Sequence, residues 1–231
     1  MSDPIVEVRG LSYSYETGPH AKGVLTDVDL TLATGELVVI TGPSGSGKTT
    51  LLTLIGALRS VQTGRVTVGG RDLHGLDARG QEEVRKGIGF IFQTHNLFDS
   101  LTAEQTLHLA MELGSQPPAA RGDQITGMLA ELGLTERARA KPAQLSVGQR
   151  QRVAVARALI NQPRLVLADE PTASLDAETG RQVVDLLQRR TRAAGGAVLI
   201  VTHDPRVIEA ADRVVRLLDG KIMANNRRLA P

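Results

Sequence analysis

The sequence predicts an α/β fold, a largely parallel sheet with a small antiparallel β region and an inserted helical subdomain. Three observations lead there. Short apolar runs, Leu37 to Thr41, Leu165 to Ala168 and Ala197 to Thr202, alternate with stretches of helical periodicity, as strands buried on both faces do. The glycine-bracketed run Val66-Thr67-Val68 and the alternating segment Gly87 to Phe92 read as strands of the antiparallel region. Residues from about Leu101 to Arg139 repeat apolar side chains at helical spacing with few β-branched residues among them.

Taken in order, Ile5 to Val8 is the first strand and Leu37 to Thr41 the next. The latter ends in the glycine-rich run Gly42 to Gly47, followed by an apolar helix reaching about Leu58. After the Val66 strand and the Gly87 to Phe92 strand comes the helical stretch, broken at Pro117-Pro118. Pro142 precedes another helix that opens at Ser146. Leu165 to Ala168 is a buried strand, Asp176 to Ala194 a helix, and Ala197 to Thr202 the last apolar strand.

A chain of 231 residues buries a sizeable core without staples, and it contains no Cys, which excludes disulfides, thiolate catalysis and Cys-ligated zinc. Its net charge of +2 arises from 27 basic and 25 acidic residues, so no nucleic-acid-binding field is expected despite a pI of 9.2. Arg227 and Arg228 in the tail read as a solvated end. The first residues lack the basic and apolar regions of a signal peptide, and the apolar stretches fall short of the ~18 residues that span a bilayer. The expected location is the cytoplasm, and any membrane role needs a partner.

The run Gly42-Pro43-Ser44-Gly45-Ser46-Gly47-Lys48-Thr49 fits GxxxxGK[ST], a phosphate-binding loop whose backbone N–H groups and following helix N-terminus cradle phosphates. Side chains at the glycines would block that approach. Lys48 would reach the β- and γ-phosphates, the Thr49 hydroxyl would ligate Mg²⁺, and Thr50 completes the loop's contact with ATP. In Leu145-Ser146-Val147-Gly148-Gln149, a Ser at a helix start with Gly just inside makes a second anion site, although Ser146 also reads as a plain helix cap. Asp169 and Glu170 place two carboxylates at the C-terminal end of a buried strand, the edge where open α/β sheets bind ligands.

These motifs, in this order, resemble the ABC ATPase family over the whole chain. The resemblance implies a P-loop NTPase with a RecA-like core. One ATPase domain would span 1–231, with 1–93 and 163–231 forming the core and antiparallel β region and about 94–162 the helical subdomain. Leu145 to Gln149 resembles the signature motif, with Val147 at a usual glycine, so Ser146, Gly148 and Gln149 would face the γ-phosphate held by a second subunit. By the same resemblance Asp169 acts on Mg²⁺ directly or through its water, and Glu170 polarises the attacking water. Gln93 touches Mg²⁺ or water, His203 donates to the γ-phosphate, and Ser174-Leu175-Asp176 crosses the dimer interface. Tyr15 is the expected adenine-stacking ring, with Tyr13 the alternative.

The implied partners are a second copy, joined through ATP, and an integral membrane permease of the MacB or FtsX type docking near Gln93 to Phe98. Leu97 and Phe98 are expected to be exposed there. A periplasmic adaptor is a further implied partner. Gly42 to Gly64 and Ile88 to Gln105 look like the MacB and LolD group, and most like ATPases of DevA-type exporters. The expected function is ATP hydrolysis at the inner face of the cell membrane that drives export of a lipid, glycolipid, lipoprotein or drug-like substrate. The alternative is a membrane machine of the cell-division type that signals without transport.

Overall fold

The computed structural model describes residues 4–16, 23–114 and 121–227; Pro117-Pro118 and Arg228 lie outside them. Along the chain run β1 (Val6–Ser14), β2 (Gly23–Leu32), β3 (Leu37–Thr41), α1 (Lys48–Ile55), β4 (Thr63–Val68), β5 (Arg71–Asp72), α2 (Ala78–Lys86) and β6 (Ile88–Ile91). Then follow α3 (Ala103–Glu112), α4 (Arg121–Glu131), α5 (Val147–Leu159), β7 (Leu165–Asp169), α6 (Ala177–Ala193), β8 (Ala197–Val201), α7 (Pro205–Ala210), β9 (Arg213–Leu218) and β10 (Lys221–Arg227).

Two sheets form. One is antiparallel with strand order β2-β1-β4-β5, and the other is six-stranded with order β10-β9-β3-β8-β7-β6. In the second sheet every pair from β9 to β6 is parallel, and β10 alone runs antiparallel on the edge. Its central strands are apolar throughout because each feeds two cores. Val38 and Ile40, Leu165 and Leu167, and Leu199 and Val201 face the first core, with α1 and the antiparallel sheet. Their neighbours Leu37 and Val39, Val166 and Ala168, and Val198 and Ile200 face the second, with α3, α4, α5 and α6.

The segment Gly87 to Phe92 corrects the sequence reading. Its strand, β6, belongs to the parallel sheet and pairs with β7, Ile88 opposite Leu165 and Ile91 opposite Ala168. Ile88 enters the first core and Ile91 the second, so over four residues alternation alone could not tell a strand covered on both faces from one with a wet face.

Six elements, β2, β5, α2, α7, β9 and β10, escaped the periodicity reading, three of them for identifiable reasons. β2 buries Leu25, Val28, Leu30 and Leu32, but Asp27 sits at φ 51° and the resulting irregularity breaks the two-residue period. α2 is a very polar helix that buries only Gly80 and Val84 and is started by Asp77, whose side chain accepts from the Gly80 N–H. β9 opens on Arg213, a buried cation whose Nε donates to Glu36 Oε1 at 2.7 Å and whose Nη1 donates to Asn225 Oδ1 at 2.8 Å. The same guanidinium reaches Thr31 O, so it ties the two sheets together.

Candidate functional site

The parallel sheet delivers its loops at one level. Ile40, Val201 and Asp169 lie in register across β3, β8 and β7, and Ile91 of β6 pairs with Ala168. One residue beyond that level stand Thr41, Thr202 and Glu170, and Gln93 follows from the β6 register. Residues up to 162 positions apart, from Thr41 to His203, thus meet at the C-terminal edge.

The loop leaving β3 needs its first glycine. At Gly42, with φ 155°, a Cβ would fall 2.0 Å from the carbonyl oxygen of Leu217 in β9. The buried Ser46 O accepts from Gly220 N at 3.1 Å, so the β9–β10 turn buttresses the loop from behind. No side chain caps the N-terminus of α1. Lys48 Nζ donates to the carbonyl oxygens of Gly42 and Pro43, both at 2.8 Å, which places the ammonium across the loop. Pro43, Ser44 and Gly45 are exposed.

Beside it, the Thr49 hydroxyl donates to Asp169 Oδ2 at 2.7 Å. Asp169 is buried, and burial raises its carboxyl above the usual range against the lowering effect of the Thr49 hydrogen bond; the neighbouring Glu170 also raises it. Glu170 adopts a left-handed backbone, φ 51°, and its N–H donates to Val201 O at 2.8 Å. Its Oε2 accepts from Thr202 Oγ1 at 2.7 Å, and its Oε1 lies 2.8 Å from His203 Nδ1. The His203 side chain is 85% exposed and that of Glu170 13%, so a partly buried acid is paired with a ring facing solvent. The neighbouring Asp204 accepts from Thr172 Oγ1 at 2.7 Å and from Arg206, and these partners hold its carboxyl down at about 2.

The tyrosines separate. Tyr13 packs against the first core, whereas Tyr15 is exposed, donates to or accepts from Thr50 Oγ1 at 2.8 Å and has the Arg59 guanidinium 4.8 Å over its ring. Gln93 is exposed just past β6. Beyond it His95 and Asn96 are both left-handed, and Arg157 of α5 donates to their two carbonyl oxygens. Of the two apolar side chains expected to be exposed there, only Phe98 is; Leu97 is partly buried against the second core.

Ser146 starts α5 with a capping box: its Oγ accepts from Gln149 N at 3.2 Å, and Gln149 Oε1 accepts from Ser146 N at 2.9 Å. Gly148 lies against the Ser174 to Asp176 loop, where a Cβ would be 3.2 Å from Ser174 O. Among the described residues no hydrogen bond joins Ser146 or Gln149 to the phosphate loop; their side chains bond to the start of α5 itself. Nothing in the sequence singles out Thr202, Arg59 or Arg157 as site residues, because a Thr at a strand end, an Arg just past a helix or an Arg within one carries no distinguishing signal.

A glycine-rich loop between a parallel strand and a helix, with two carboxylates at the end of the strand next but one in the sheet, makes the chain a P-loop nucleotide-binding protein. The model of the ABC transporter family matches residues 25–173, and the chain belongs to that family. It is 44% identical to the lipoprotein-releasing system ATP-binding protein LolD of Anaeromyxobacter dehalogenans (strain 2CP-C), over 97% of this chain and 95% of LolD. It is also 42% identical to the macrolide export ATP-binding/permease protein MacB 1/2 of Paracoccus denitrificans (strain Pd 1222), over 99% of this chain and 34% of MacB. The chain therefore spans about a third of the length of its MacB relatives. Among solved structures it superposes on the dimeric ATP-binding cassette MJ0796 bound to ADP and Pi with a TM-score of 0.90 at 35% identity, covering 98% of this chain and all of that one. Among the described residues no helix is long and apolar enough to cross a membrane.

Proposed function

We propose that this chain couples Mg²⁺-dependent ATP hydrolysis to a membrane permease, as one half of a dimer that closes on two ATP molecules. The arrangement of Thr49, Asp169, Glu170 and His203 at one sheet edge carries this reading. Lys48 and the loop amides hold the β- and γ-phosphates. Thr49 and Asp169 present a hydroxyl and a carboxylate oxygen 2.7 Å apart, a hard donor pair that suits Mg²⁺, with Gln93 close by in strand register. Bound there, Mg²⁺ neutralises charge that develops on the phosphates.

Glu170, partly buried and aimed by two hydrogen bonds, is the general base that takes a proton from the attacking water. His203 bridges Glu170 to the γ-phosphate. With Nδ1–H on the carboxylate, its Nε2 donates only in the imidazolium form. Tyr15 stacks on adenine.

Ser146, Gly148 and Gln149 belong to the second half-site. The dimeric state of the MJ0796 cassette supports a contact made in trans, to the nucleotide of a second copy. Loss of the γ-phosphate then removes the contacts that hold the halves together. In this reading about 94–162 is the helical subdomain, and 1–93 with 163–231 are the core plus the antiparallel β region. The segment Gln93 to Phe98, braced by Arg157, receives the permease at the inner face of the membrane. The names of the LolD and MacB relatives support release of a lipoprotein or export of a drug-like substrate, and a lipid or glycolipid belongs to the same reading. A periplasmic adaptor fits the same scheme.

The test is the size of purified Glu170→Gln protein with and without Mg-ATP, beside the same protein carrying Ser146→Arg. A dimer that needs ATP and is lost with Ser146→Arg is expected, together with hydrolysis reduced ~10²-fold or more by Glu170→Gln. Near-normal turnover in Glu170→Gln would sink the general-base assignment.

A further inference from the structure

We infer that Thr202 is a positioning residue for Glu170: its hydroxyl holds one carboxylate oxygen in place while the other is left to exchange partners during hydrolysis. The inference rests on the reading of Glu170 as the general base. Thr202 is 1% exposed, and its Oγ1 accepts from the Asp204 N–H at 3.1 Å. A hydroxyl has a single proton, and with the amide supplying one hydrogen to the oxygen, that proton is left for Glu170 Oε2, 2.7 Å away.

Everything behind this contact is pinned. Thr202 N donates to Ile40 O at 3.2 Å and Glu170 N to Val201 O at 2.8 Å, so both main chains are fixed to the sheet. The turn that presents the Asp204 amide is itself held, because the Asp204 carboxylate engages Thr172 and Arg206. Branching at Cβ restricts χ1 of Thr202 and so fixes the direction of its hydroxyl.

The two oxygens of Glu170 therefore have unequal partners. Oε2 meets a buried donor anchored to the sheet, whereas Oε1 meets His203, whose side chain is 85% exposed.

The experiment measures ATP turnover and equilibrium binding of a fluorescent ATP analogue for Thr202→Val, Thr202→Ala and Thr202→Ser, alone and with Glu170→Gln. Loss of the hydroxyl in Val and Ala should lower kcat by about 10-fold, with KM and analogue affinity within about twofold of wild type. Thr202→Ser should restore most of the rate, and neither Val nor Ala should slow Glu170→Gln further. Turnover of Thr202→Ala within twofold of wild type would overturn the inference, as would Ser behaving like Ala, or losses that multiply with Glu170→Gln. If Glu170→Gln itself hydrolyses normally, the general-base reading fails first and the inference falls with it. An inactive Glu170→Gln beside an active Thr202→Ala overturns only the role of Thr202.

Discussion

Thr49 and Asp169, 120 residues apart, share a hydrogen bond of 2.7 Å that joins the phosphate loop to the end of β7. The hydroxyl opposes the burial that raises the Asp169 carboxyl, so Thr49→Val removes an oxygen ligand and pushes that carboxyl up further. Turnover of Thr49→Val should need at least about 10-fold more Mg²⁺ to reach half its maximum, read from a Mg²⁺ titration of the hydrolysis rate. An unchanged titration would separate Thr49 from the metal.

Asp204 gives a dependence of stability on pH. Its folded carboxyl lies at about 2, below the ordinary 3.8, chiefly through the hydrogen bond from Arg206. The folded state thus favours the charged form. The stabilisation is complete above about pH 4 and is lost as pH falls from 3.8 toward 2. Asp204→Asn should melt about 3 °C or more below wild type at pH 6, and the gap should close between about pH 4 and 2. A constant gap would mean that packing, not charge, sets the difference.

Glycines of the phosphate loop should not be equivalent. Gly42→Ala forces a Cβ into Leu217 O and is expected to cost about 3 kcal/mol or more in denaturant unfolding. At Gly45, where φ is 79° and a Cβ would meet nothing within 4 Å, Ala should cost only about 1–2 kcal/mol of backbone strain.

The two tyrosines should divide between binding and stability. Tyr15→Ala is expected to weaken ATP binding about 3–10-fold with little change in melting temperature, and Arg59→Met by about twofold through the lost contact with the ring. Tyr13→Ala should instead lower the melting temperature, because that ring packs on the core. Calorimetric titration with ATP beside thermal melts distinguishes them, and the reverse pattern would assign adenine to Tyr13.

Leu97 and Phe98 should part in the same manner. Phe98→Asp, at 62% exposure, should leave the melt and the basal ATPase rate of the isolated chain unchanged, whereas Leu97→Asp should destabilise it. If Phe98 is the apolar contact for the permease, Phe98→Asp abolishes stimulation of hydrolysis by that partner, measured in reconstituted membranes.

Much of the site was legible because its chemistry needs local strings of residues. The loop Gly42 to Thr49, the acids Asp169 and Glu170 and the helix start at Ser146 are each set by neighbours in sequence, through close backbone approach, strand ends and capping. The apolar strands β3, β7 and β8 declared themselves for a similar reason, since both of their faces are buried. What tertiary structure alone decided was pairing between distant segments. It placed β6 in the parallel sheet and buried Arg213 against Glu36. It put Leu97 inside and Phe98 out, and it set the hydroxyl of Thr202 against Glu170. A residue type at one position does not encode the partner that folding brings to it, because that partner is selected by register and packing across the whole chain.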